Sequence, residues 1–93
     1  MSTDGGWQNE EIRGRVRGLL IIVADQLPSR TVEIIDELIE HSESGVAVQI
    51  LSEMLVESSA RISPEYLNLV SQLVARMNLD DIIVERLRPL VHV

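Results

Sequence analysis

Apolar residues recur along the chain at spacings of three and four, and nowhere alternate with polar ones long enough to suggest a half-buried strand. That period belongs to amphipathic helices. Ile12, Val16, Leu19, Leu20, Val23 and Leu27 form one stripe and predict a first helix from about Asn9 to Leu27. Asn9 is the expected N-cap, with Glu10 and Glu11 in the first turn, where the helix dipole favours acids. Residues 1–8 are expected to be flexible. Pro28 stops this helix or opens the next. Val32, Ile35, Leu38 and Ile39 predict a second helix over residues 30–41, and "HSESG" (41–45) reads as a turn. Ala47, Ile50, Leu51, Met54 and Leu55 give a third helix over 43–58. "ARISPEY" opens a fourth over 63–77: Ser63 as N-cap, Pro64 at the first helical position and Glu65 in the first turn. Tyr66, Leu69, Val70, Leu73, Val74 and Met77 are its expected inward side. A last helix over 80–87 begins at Asp80 and Asp81, and Pro89 ends it. Short connections favour antiparallel neighbours. The expectation is one all-α domain over residues 1–93, a bundle of four to five helices.

Composition sharpens this picture. A chain of 93 residues can bury one modest core. It has no Phe, one Trp (Trp7) and one Tyr (Tyr66), so that core is aliphatic. The absence of cysteine excludes disulfides and thiolate metal sites and permits a reducing compartment. The longest apolar run, Leu19 to Ala24, is far short of the roughly 20 residues of a membrane span. The N-terminus does not read as a secretory signal. A cytoplasmic protein is the expectation.

Charge changes the picture more. The formal net charge is −7. Residues 1–30 balance Asp4, Glu10, Glu11 and Asp25 against Arg13, Arg15, Arg17 and Arg30. Residues 61–93 balance Glu65, Asp80, Asp81 and Glu85 against Arg61, Arg76, Arg86 and Arg88. Residues 31–60 hold Glu33, Asp36, Glu37, Glu40, Glu43, Glu53 and Glu57 and no base, so the whole excess lies there. A charge run is commonly just a solvated helix face. Yet Glu33 and Glu37 repel at i, i+4, a spacing that stability alone does not favour. Nucleic acid is repelled by such a region and a basic protein attracted to it.

Catalytic chemistry finds little support. His41 and His92 are the only histidines, and neither pairs with a recognisable nucleophile. Glu37 and His41 share a helix face, but a tight metal site wants three or four ligands and no second such pair exists. The acids lie opposite the apolar stripe, which suits exposure rather than an acid–base dyad. Gly5–Gly6 and Gly14…Gly18 follow no strand and cradle no phosphate. No catalytic residue, metal or cofactor is expected. Arg13, Arg15 and Arg17 form the only basic cluster. They could serve DNA, or pair with Glu10, Glu11 or a neighbouring acidic helix. Gly14 and Gly18 each cost the first helix about 1 kcal/mol relative to Ala. With Ile21 or Ile22 they line a second side, where an internal helix or a dimer partner could approach closely.

The segment "IIDELIEHSESGVAVQILSEMLVESSARISPEYLNLVSQLVARMNLDD" resembles the MafI-type immunity proteins of bacterial polymorphic toxin and contact-dependent inhibition systems. Glu43, Gly45 and Ala47 match the start of a helix in that family, followed by Leu51 and Leu55. Ile62, Ser63 and Glu65 match its next cap, and Met77, Leu79 and Asp80 its closing turn. The resemblance spans about half the chain, from Ile34 to Asp81. It implies a small cytoplasmic antidote that binds the toxic C-terminal domain of a secreted effector, often a nuclease. Such a partner needs a basic groove for phosphates, and an acidic inhibitor can occupy it. Glu33, Asp36, Glu37, Glu40 and Glu43 are then the expected partner-binding face, with Glu53 and Glu57 as outer contributors. The expected protein is not an enzyme, binds no nucleic acid or membrane, and is a monomer or weak homodimer when free. The alternatives are a helical DNA-binding regulator using Arg13–Arg17 and a dimeric scaffold using the Gly14/Gly18 side.

Overall fold

The computed structural model describes the backbone of residues 3–92 and the side chains of residues 10–92. Five helices follow one another: α1 (Thr3–Val23), α2 (Ser29–Glu40), α3 (Ser44–Glu57), α4 (Pro64–Arg76) and α5 (Ile82–Leu87). A 3-10 turn, Ala24–Gln26, extends α1, and another, Arg88–Leu90, follows α5. The only β pairing among the described residues is an isolated parallel bridge between Ile62 and Val91. The fold is an all-α bundle.

Helix α1 starts earlier than Asn9, so Asn9 is an interior position and not the cap. The helix is described from Thr3 onwards. Residues 1 and 2 lie outside the described residues, and residues 3–8 belong to helix. Gly45 lies in the first turn of α3, within the span predicted for the third helix.

Helix α3 sits centrally, packed on α1, α2 and α5. It buries Ala47, Val48, Leu51 and Leu55. Ser52 is buried with them because its hydroxyl donates to the Val48 carbonyl at 2.8 Å, which removes the cost of an unpaired polar group. Ile35 and Ile39 of α2 and Val16, Leu19, Leu20 and Val23 of α1 close the same core. Helix α4 runs antiparallel to α1: Tyr66, near its start, donates its hydroxyl to the Leu19 carbonyl at 3.0 Å, while Arg76, at its end, reaches Glu11.

Helix α4 starts as its sequence predicts. The Ser63 hydroxyl accepts from the Tyr66 N–H at 3.0 Å, and Pro64 takes the first helical position. Replacing Ser63 with Ala should leave that N–H unpaired and lower stability by about 1 kcal/mol. Thermal unfolding should report a fall of roughly 4–8 °C in Tm.

Helices α2, α3 and α4 end alike. Ser42, Ser59 and Asn78 each adopt the left-handed conformation, with φ of 63°, 51° and 58°. The N–H groups of Glu43, Ala60 and Leu79 reach back to the carbonyls of Leu38, Leu55 and Val74. These are Schellman ends, in which glycine commonly holds the left-handed position. Here two serines and an asparagine hold it. The α3–α4 connection is fastened on two sides. The Gln26 side-chain amide donates to the Arg61 carbonyl and accepts the Arg61 N–H, both at 2.9 Å. Ile62 donates to Leu90 and accepts from the His92 N–H.

Candidate partner surface

The seven acids of residues 31–60 divide into groups. On α2, the i, i+4 spacings put Asp36 and Glu40 on the side towards α1. There the Arg17 guanidinium meets both, at 3.3 Å to Asp36 Oδ1 and 2.7 Å to Glu40 Oε2. Asp36 is half-buried by this contact and Glu40 remains exposed. A base from another helix thus offsets part of a charge that its own segment leaves unbalanced. The three groups lie at the surface, so the pairs contribute little to stability, within about 1 kcal/mol each.

Glu33 and Glu37 lie farther round α2, exposed and in no ion pair among the described residues. Arg30, one turn before Glu33, is exposed and makes no ion pair among them either. Glu43 stands exposed in the α2–α3 turn. Glu53 and Glu57 project from α3 on a different side, where with Arg86 of α5 they border a shallow hollow. The structure therefore gathers Glu33, Glu37 and Glu40 with Asp36 and separates Glu53 and Glu57 from them.

One apolar residue belongs to the α2 surface and was missing from the predicted stripe. Ile34 is 43% exposed, and its neighbours along the helix face are Arg30 at i−4 and Glu37 at i+3. Its signal is its phase: Val32, Ile35, Leu38 and Ile39 turn inward and leave Ile34 outside. An exposed aliphatic side chain beside charged neighbours is a form that an interface anchor takes.

The arginine cluster offers less to DNA than its count suggests. Arg15 is held by Glu11 at 3.0 Å, and Arg17 by Asp36 and Glu40. Pairing with Glu11 and with a neighbouring acidic helix accounts for two of the three. His41 Nδ1 bonds the Glu37 carbonyl and His92 Nδ1 the Leu90 carbonyl, both local backbone contacts. No group of three or more His, Asp or Glu side chains with metal-binding geometry occurs among the described residues.

The glycine side of α1 departs from one expectation. A Cβ built on Gly14 or Gly18 meets nothing within 4 Å, so no internal helix approaches there. Leu69, expected to pack inward, is 38% exposed across the open groove that results. No helix of the described residues is long and apolar enough to cross a membrane. No family model, curated protein or solved structure matches the chain.

Proposed function

We propose that this protein is an immunity protein: a stoichiometric inhibitor that binds the toxic domain of a bacterial effector and works without catalysis. The reading rests on the resemblance of residues 34–81 to MafI-type immunity proteins and on one physical observation. The net charge of −7 comes entirely from a segment with no base of its own, and Arg17 answers only two of its seven acids. Glu33 and Glu37 remain exposed on α2, and Ile34 is exposed next to Glu37, giving charge for encounter and an apolar side chain for contact. A basic partner suits this surface, and a nuclease is the toxin class whose function requires basic charge. Inhibition then consists of covering the phosphate-binding surface. The cytoplasm, where such a toxin acts, is the proposed compartment.

Binding kinetics against the protein encoded immediately upstream test the reading. Charges that guide encounter act on the association rate and are screened by salt. Glu33→Lys combined with Glu37→Lys should slow association by roughly tenfold at low salt and flatten its salt dependence. The fold should be retained, because both positions are exposed on α2. Unchanged association at both low and high salt would sink the acidic-face reading.

A further inference from the structure

The open groove between α1 and α4 carries a second, independent interface. Two stripes run along it and past its open end. On α1 and the 3-10 turn that extends it the stripe is Arg15, Gly18, Ile22 and Asp25, spaced 3, 4 and 3. On α4 it is Glu65, Leu69, Gln72 and Arg76, spaced 4, 3 and 4. Arg15 and Arg76 line one end of the groove, and the antiparallel run of α1 and α4 carries Asp25 and Glu65 towards the other. The middle is apolar and unpartnered: Ile22 is 58% exposed, Leu69 is exposed beside it, and the space above Gly18 is empty.

We propose that a second copy of this chain occupies this groove, with the two α1 helices antiparallel about a two-fold axis. A two-fold contact must be self-complementary, each patch meeting its own copy. This groove meets that demand in both shape and charge. With the axis midway between positions 18 and 22, each Ile22 fills the space over the other copy's Gly18. The same rotation sets each Arg15 against the other copy's Asp25. It also brings the Glu65 end of α4 towards the Arg76 end of the other α4. Glu11 contacts both Arg15 and Arg76, at 3.0 and 3.7 Å, and leaves that end with a positive excess. Arg61, whose backbone is bonded to Gln26, lies near the acidic end. Asp25 and Glu65 outnumber it there, and neither is in an ion pair among the described residues.

Two further observations fit. Gly14 and Gly18 both weaken α1 and serve no internal packing, so close approach of another molecule gives them a purpose. Ile21, 68% exposed, adds apolar area beside the seam. The acidic side of α2 takes no part, so this proposal and the proposed function stand or fall separately.

Sedimentation of the full chain tests the proposal. The patch is small for a stable interface, so the dissociation constant should be on the order of 10–100 µM. Ile22→Glu should raise it at least tenfold. Asp25→Arg puts arginine against arginine and should leave a monomer, and Arg15→Asp puts aspartate against aspartate and should do the same. An equimolar mixture of these two variants restores both ion pairs and should dimerise where neither does alone. All three side chains are exposed, and circular dichroism confirms the fold of each variant. A wild-type chain that stays monomeric up to about 1 mM overturns the proposal. So does a dimer that tolerates Ile22→Glu, and so does a mixture that fails to reassociate.

Discussion

Replacing Leu87 with Ala should lower the stability of this protein by about 3 kcal/mol, within the 2–5 kcal/mol range of buried leucine truncations. Leu87 is fully buried although it lies in a helix of only six residues. Such a helix cannot sustain itself in water, because nucleation is costly and few hydrogen bonds follow. Helix α5 persists because Ile83, Val84 and Leu87 are buried where it meets α3 and α4. Asp80 assists by accepting the Ile82 N–H at 3.0 Å. Truncating Leu87 leaves a cavity where these elements converge, and a short helix can neither fill it nor remain docked without it. A domain of this size has a total stability of roughly 5–14 kcal/mol, so the loss is a large fraction. Denaturant unfolding should show a lower midpoint. A loss under about 1 kcal/mol would mean that α5 is a peripheral attachment rather than part of the core.

Above pH 10 the protein should lose stability progressively, because the fold resists ionisation of Tyr66. Burial pushes the Tyr66 hydroxyl well above its ordinary pKa, because the interior disfavours the charged form. The hydroxyl also donates to the Leu19 carbonyl, a role that ends when the proton leaves. The folded state thus holds this proton more tightly than the unfolded chain, where the group titrates near 10. Below that value both states carry the proton and stability is unaffected. As pH rises past it, the unfolded state binds fewer protons, and stability falls by up to about 1.4 kcal/mol per pH unit. The chain has no lysine or cysteine, so no other side chain except arginine titrates in this range. Tyrosinate absorbance and loss of helical circular dichroism should therefore rise together. Tyr66→Phe should cost roughly 1 kcal/mol at neutral pH and abolish this alkaline transition. Tyrosinate appearing at ordinary pH with the helices intact would contradict the burial argument.

The apolar period located all five helices and most of the core, because burial against one neighbour imposes that period directly. It failed where the neighbour was absent. Leu69 keeps phase with Tyr66, Val70 and Leu73, yet the facing position on α1 is Gly18, which presents no side chain to cover it. Helix ends were less legible. Asn9 has a strong capping preference, but preference did not fix the boundary. Ser42, Ser59 and Asn78 carry no glycine signal, although they close three helices in the same way. The acidic segment was legible as charge and not as surface. Arg17 lies 19 and 23 positions from its partners Asp36 and Glu40, so a sum over neighbouring residues could not pair them. Ile34 required knowing which residues of α2 turn inward before its exposure had meaning.

The fastening of the α3–α4 connection governs how this molecule opens. Arg61 is exposed, and amide hydrogens at such positions ordinarily exchange with solvent within local fluctuations. Here the Arg61 N–H is held by the Gln26 side chain and the Ile62 N–H by the Leu90 carbonyl. One contact comes from the end of α1 and the other from the segment beyond α5, so two distant parts of the chain must detach before both amides are free. Deuterium should enter this surface connection slowly, on the timescale of cooperative unfolding, while the α2–α3 turn at Ser42 and Glu43, bonded only within its own helix end, exchanges early.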